Sequence, residues 1–207
     1  MYDILNQFLK IMSEELNEFT DISPYTDAEA VEALGKLADH PAVVEVSKAI
    51  FPDKEPEFLR KILKSVKSID EFQILVMNKA VEWVLSTTAH NFSYDGIGNL
   101  KKIDGKFLAM SNHRDIILDP AITQVVLYRN AIPMTEIAVG SNLLTNKYIE
   151  YLIRSNRMIK VIRGINARQL YLSSQVLSKY IRECITSGRS SIWIAQREGR
   201  AKDGIDT

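Results

Sequence analysis

The chain has 207 residues, of which 46% are apolar and 25% are charged, a composition that suits a folded core and excludes a disordered chain. The 26 basic and 26 acidic side chains cancel, so no overall charge would attract nucleic acid, and an anion site must be local. A single cysteine and the lack of a signal-peptide pattern lead us to expect a cytoplasmic protein.

Residues 1–90 are predicted to be a helical region. Apolar side chains recur there at spacings of three and four, as in Val31, Leu34 and Leu37, and no strand pattern interrupts them. Helix starts are indicated at Asp27, Pro41, Pro56 and Ser68, the last with a glutamate at capping-box spacing. We therefore expect four or five short helices.

Residues 91–207 follow a different pattern, in which short apolar runs alternate with helical stretches. The predicted strands are Phe107 to Met110, Ile137 to Val139, Met158 to Ile162 and Ile192 to Ala195. The predicted helices are 120–129, 144–154 and 167–187, the last capped by Asn166, ended by Gly188 and burying Cys184. This order predicts an α/β fold with a mainly parallel sheet and flanking helices.

A polar block, Ser111-Asn112-His113-Arg114-Asp115-Ile116-Ile117-Leu118-Asp119, follows the first predicted strand. Loops at the carboxyl ends of parallel strands are the expected site of chemistry, and an imidazole there is a candidate general base. Its partner would be a carboxylate, either Asp119 or Asp115. The two are four residues apart, so helical geometry alone does not choose between them, and Asp119 before Pro120 also has the pattern of a helix cap.

A second block, Gln196-Arg197-Glu198-Gly199-Arg200, follows the fourth predicted strand and should lie at the same sheet edge. A local positive patch precedes it, comprising Arg154, Arg157, Lys160, Arg163 and Arg168. Such a patch in a neutral chain favours a phosphate ligand. Arg163 is the better candidate than Lys160, because it ends a predicted strand on the side of His113.

The two blocks together resemble the signature blocks of the glycerolipid acyltransferases, a family that includes glycerol-3-phosphate and lysophosphatidate acyltransferases. That family carries a His-(x)4-Asp block and a Glu-Gly-Thr-Arg-Ser block, and the resemblance covers about residues 95–207. In this chain Leu118 occupies the position of the family's acid. Asp119 resembles that acid displaced by one residue, which favours it over Asp115. The family's threonine is missing, so Arg200 directly follows Gly199.

The resemblance implies transfer of a fatty acyl group from coenzyme A or acyl carrier protein to a hydroxyl of glycerol-3-phosphate or lysophosphatidate. His113 would be the base and Asp119 would orient it. The phosphate would be bound by Arg163, Glu198, Gly199, Arg200 and, as a lesser candidate, Lys160. Neither cofactor nor metal is implied, and the protein would act peripherally at the inner face of the membrane. Family domains extend past the second block, so we expect a fragment of weak activity.

A second hypothesis is an interaction protein whose acyltransferase-like half is catalytically silent. Its helical half would then dock on a carrier protein or a membrane surface, for which an amphipathic first helix over residues 2–19 is suitable. The unusual spacing from His113 to Asp119 and the missing threonine favour this alternative. Substitution of His113 distinguishes the two, because only an enzyme would lose activity.

Overall fold

A computed structural model of the protein describes residues 18–196. Its first half consists of short helices. They are α1 (Asp27–Ala38), α2 (Ala42–Ile50), α3 (Phe58–Ser65), α4 (Ile69–Phe72), a π-helical segment (Gln73–Met77) and α5 (Asn78–Thr88). No strand occurs within residues 18–90, as the sequence predicted.

Two of these helices, α1 and α4, begin with a side-chain cap. The Thr26 hydroxyl accepts a hydrogen bond from the Glu29 amide, and the Glu29 carboxylate accepts one from the Thr26 amide, so a complete capping box begins α1. The sequence had indicated Asp27 as this cap, but Asp27 is the first helical residue. Ser68 caps α4 as predicted, through its contact with the Glu71 amide.

The second half alternates strands and helices. Its elements are α6 (Ile97–Leu100), β1 (Leu108–Ser111), α7 (Leu118–Arg129), β2 (Glu136–Gly140), a 3-10 turn (Ser141–Leu143), α8 (Lys147–Arg154), β3 (Met158–Val161), α9 (Ala167–Thr186) and β4 (Ile192–Ala195). All four predicted strands and all three predicted helices are present, with ends that differ by at most three residues.

The four strands form one all-parallel sheet in the order β1-β4-β2-β3. The α/β class and the parallel sheet are therefore confirmed. The chain moves across the sheet in one direction through α7 and α8, and returns through α9. Right-handed crossovers consequently put α7 and α8 on one face and α9 on the other.

The side chains of the strands follow this division. Ile159 and Ile192 pack with Tyr180 and Cys184 of α9, and each of these four residues is at least 98% buried. Ile137 and Met158, which are neighbours across β2 and β3, face the opposite side. The expectation that Cys184 lies in the core is confirmed.

The helical first half packs on the face of the sheet that carries α7 and α8. α1 contacts α8, α5 contacts α7, and Leu152 of α8 packs against the core of the short helices around Leu34 and Phe72. A polar contact adds to this packing, since the side-chain amide of Gln73 donates a hydrogen bond to the side-chain oxygen of Asn156. No helix within residues 18–196 is long and apolar enough to cross a membrane.

Candidate functional site

The carboxyl ends of the four parallel strands bring several polar residues to one edge of the sheet. His113 follows β1 by two residues, Ser141 directly follows β2, and Arg163 follows β3 by two residues. β4 ends beside β1, where Ser111 pairs with Ala195 and the Gln196 amide donates to the Ser111 carbonyl at 2.8 Å. This edge is where open parallel sheets bind their ligands.

His113 and Asp119 form a hydrogen-bonded pair at this edge. Their Nδ1 and Oδ2 atoms are 3.1 Å apart, and their side chains are only 15% and 22% exposed. The same oxygen of Asp119 accepts hydrogen bonds from the amides of Arg114 and Asp115, at 2.7 and 2.9 Å. Asp119 therefore fixes both the ring and the loop that carries it.

Asp115, the other candidate partner, has a different contact. Its Oδ1 accepts hydrogen bonds from the amides of Ile117 and Leu118, at 2.8 and 2.7 Å, and so satisfies backbone donors where α7 begins. The N-cap residue of α7 is Ile117 and not Asp119, and Asp115 holds the turn before it. Asp119 lies within the first turn of α7, where the helix dipole also favours a carboxylate.

The pair has the geometry that a histidine base requires. An ionised Asp119 accepts the hydrogen of Nδ1, so in the neutral ring Nε2 is the nitrogen with a lone pair. Nε2 can then take a proton from a hydroxyl, and the carboxylate stabilises the resulting imidazolium. The partial burial of both side chains strengthens this interaction, because water screens it less.

An apolar groove of about 390 Å³ lies next to this pair. Leu118 and Pro120, the residues on either side of Asp119, both line it, as do Ile116 and Ile117. The groove continues between the helical layer and the sheet, past Val81 and Ile137 among others. Its walls are almost entirely hydrocarbon, and its volume lies in the range of small-molecule sites, so it suits an apolar chain.

Arg163 lies at the same edge but on the far side of the sheet. β1 and β3 are separated by β4 and β2, and three strand spacings amount to about 14 Å. The Arg163 amide donates to the Ser141 hydroxyl at 2.9 Å, and the Arg163 side chain passes close to Gly140. A Cβ on Gly140 would lie 2.4 Å from Asn142 Oδ1, so a larger residue there would require the Asn142 side chain to move.

The rest of the predicted positive patch is divided among other contacts. Arg154 donates to the carbonyls of Thr20 and Ser23 and stacks on the ring of Tyr25. Arg157 donates to Gln73 and pairs with Asp70. The expectation of one phosphate-binding patch is therefore wrong for these two arginines, which join the helical layer to the sheet.

Lys160 lies within β3 and not at its end, and its amide donates to the Ile22 carbonyl at 2.8 Å. It is therefore further than Arg163 from the carboxyl edge. The predicted phosphate-binding residues Glu198, Gly199 and Arg200 lie outside the described residues, as does most of the predicted amphipathic helix over residues 2–19.

The groove as a whole has no signature in the sequence, because the residues that line it come from both halves of the chain. Ile116 and Ile117 were the one sign of the groove in the sequence, because they are two large apolar residues within a polar loop. Their exposed fractions are 43% and 71%. Ser141 was also missed. As the polar residue that directly follows a strand, it satisfies the same rule that singled out His113.

Among residues 18–196, no three histidine, cysteine or carboxylate side chains are grouped so that they could hold a metal ion. No protein-family model matches the chain, and no curated protein matches it in sequence. The site must therefore be interpreted from its own geometry.

Proposed function

We propose that the protein is an acyltransferase that moves a fatty acyl group from a thioester, of coenzyme A or acyl carrier protein, to a hydroxyl of a glycerol phosphate. The observation that carries this proposal is the His113–Asp119 pair next to an apolar groove, whose lining includes the residues on either side of Asp119. A base beside a hydrocarbon channel suits a reaction whose reacting carbonyl carries a long chain.

In the proposed reaction His113 Nε2 removes the proton of the acceptor hydroxyl as its oxygen attacks the thioester carbonyl. A carbon–oxygen bond forms and the carbonyl becomes a tetrahedral oxyanion. When this intermediate collapses, the carbon–sulfur bond breaks and the thiolate takes the proton from the imidazolium. The products are an ester and a free thiol, with His113 neutral again.

Asp119 is a positioning residue in this scheme, because it acts through His113. It holds the Nδ1 hydrogen, which leaves Nε2 as the acceptor, and it opposes the positive charge that forms on the ring. The acyl chain would lie in the groove, where burial of each methylene contributes about 0.8 kcal/mol.

Arg163 is proposed to bind the acceptor's phosphate, because a guanidinium forms paired hydrogen bonds to phosphate oxygens. It stands at the carboxyl edge of the sheet with His113, so an acceptor could lie across the ends of β4 and β2 between them. The resemblance assigns Glu198, Gly199 and Arg200 to the same phosphate. Lys160 is a weaker candidate, given its place inside β3.

The test is thiol release from palmitoyl-coenzyme A and from palmitoyl acyl carrier protein, with glycerol-3-phosphate or lysophosphatidate as acceptor and mass spectrometry of the ester. We expect release that depends on the acceptor and that is lost in His113→Ala. Release without ester formation would point to hydrolysis. No release in the presence of specific carrier-protein or vesicle binding would favour the docking hypothesis.

A further inference from the structure

A second apolar groove, also of about 390 Å³, lies beneath the short helices of the first half. Its walls include Val43 of α2, Leu59 and Leu63 of α3, and Val76 of the π-helical segment. These four side chains are at least 94% buried, so the groove runs through the hydrophobic core of the helical layer. It is therefore a different space from the groove next to His113.

The two grooves share a wall. Met77, Ala80, Ile149 and Leu152 line both of them. Met77 and Ala80 are three residues apart on one helical face, and Ile149 and Leu152 are three residues apart on α8, so two pairs of apolar side chains form the shared wall. If these side chains moved apart, the two spaces of about 390 Å³ each would join and the apolar volume would double.

Met77 is the side chain of this wall that can move most easily. It is unbranched, with three rotatable bonds, and methionine adapts to irregular apolar spaces. Ala80 beside it is too small to fill the passage alone. Met77 is also the last residue of the π-helical segment, where the Asn78 amide donates to the Gln73 carbonyl. Such segments within α-helices are frequent at functional sites.

We propose that Met77 sets the length of acyl chain that the protein accepts. A chain that enters beside His113 fills the first groove and then meets the wall of Met77, Ala80, Ile149 and Leu152. The rotamer of Met77 decides whether its end stops there or continues into the second groove. This inference rests on the proposed function, since that function identifies the occupant of the first groove as an acyl chain.

The experiment measures binding and not catalysis. Lauric, myristic, palmitic, stearic and arachidic acids compete with cis-parinaric acid, whose fluorescence rises in an apolar site, for the 207-residue protein. Affinity should rise about fourfold per methylene while the chain still finds apolar space, and then stop rising. The acid at which it stops gives the accepted length.

We expect Met77→Ala to move this limit to a longer acid and Met77→Trp to a shorter one. Ala80→Leu adds a larger side chain to the same wall from α5, so it should also move the limit to a shorter acid. It keeps the test decisive if the Met77→Trp variant does not fold. The matched control is Leu75→Ala. Leu75 belongs to the same π-helical segment, is 42% exposed and lies outside the lining of both grooves, so the limit should not move.

An identical limit in the native protein, Met77→Ala and Ala80→Leu would overturn the inference, as would a shift in the Leu75→Ala control. Thiol release, measured separately on the same proteins, tests the proposed function. If the chain-length limit of binding moves in the Met77 variants but no acyl transfer occurs, the role of Met77 stands and the proposed acyltransferase activity is refuted. If acyl transfer occurs but the limit does not move, the activity stands and the role of Met77 is refuted.

Discussion

The Oδ2 atom of Asp119 lies 3.1 Å from the Nδ1 atom of His113, although Asp119 follows His113 by six positions in the sequence. The turn that makes this possible is held by the same oxygen, which also accepts the amides of Arg114 and Asp115. Asp115 in turn accepts the amides of Ile117 and Leu118. The two carboxylates, four residues apart, therefore bind different groups. Asp119 binds the imidazole, and Asp115 binds the backbone amides at the start of α7.

The first prediction follows from this division. Asp119→Asn should lower kcat by about 10²- to 10⁴-fold, because an amide neither fixes the Nδ1 hydrogen as firmly nor stabilises the imidazolium. Asp115→Asn should change kcat and stability little, because Asp115 accepts backbone amides near the start of α7, and asparagine accepts such amides about as well as aspartate. Steady-state kinetics and urea unfolding of both variants check this. A larger loss of kcat in Asp115→Asn would reverse the assignment.

Arg163 gives the second prediction. Arg163→Gln should raise KM for a phosphate-bearing acceptor roughly ten- to hundredfold, the value of a lost charge-assisted hydrogen bond, with a smaller change in kcat. Lys160→Gln is the matched control, because Lys160 lies within β3 and should have a smaller effect. An acceptor without phosphate should be insensitive to both substitutions. Equal losses with and without phosphate would show that Arg163 has only a structural role.

Cys184 gives the third prediction. It is fully buried against Tyr180 and Ile159, and burial, with the nearby Glu136 carboxylate, raises the pKa of its thiol. A raised pKa leaves less thiolate at any given pH, and the thiolate is the reactive form. We expect the folded protein to resist iodoacetamide at mildly alkaline pH and the denatured protein to take up one label. Rapid labelling of the native protein would contradict this burial.

Most of the fold follows from local patterns in the sequence. The strand at Ile192 to Ala195 and the helix after Asn166 could be predicted because an apolar run and a side-chain cap each act within a few residues. The strand order β1-β4-β2-β3 and the groove could not, since they depend on packing between distant segments. Arg157 illustrates the limit, because its contact with Asp70 spans 87 residues and no local pattern reveals it.

The candidate site, like the fold, could be predicted from the sequence only in part. His113 could be found from its place after a strand, and Asp119 was favoured by a resemblance and not by geometry. The deciding fact is that α7 already begins at Leu118, after a turn that Asp115 holds. It depends on the conformation of six residues whose turn has no simple signature. That two members of the predicted basic patch, Arg154 and Arg157, bind other parts of the protein could not be predicted, because charge counts do not show which arginines have partners in the fold.

The role of His113 as the base is tested by acceptor-dependent thiol release by the native protein, His113→Ala and His90→Ala, with both thioester donors. His90 is an exposed histidine outside the sheet edge, so its variant controls for the loss of an imidazole as such. We predict that His90→Ala keeps native activity and that His113→Ala loses it at unchanged thermal stability. Native activity in both variants would contradict the account, because His113 would then not be the base.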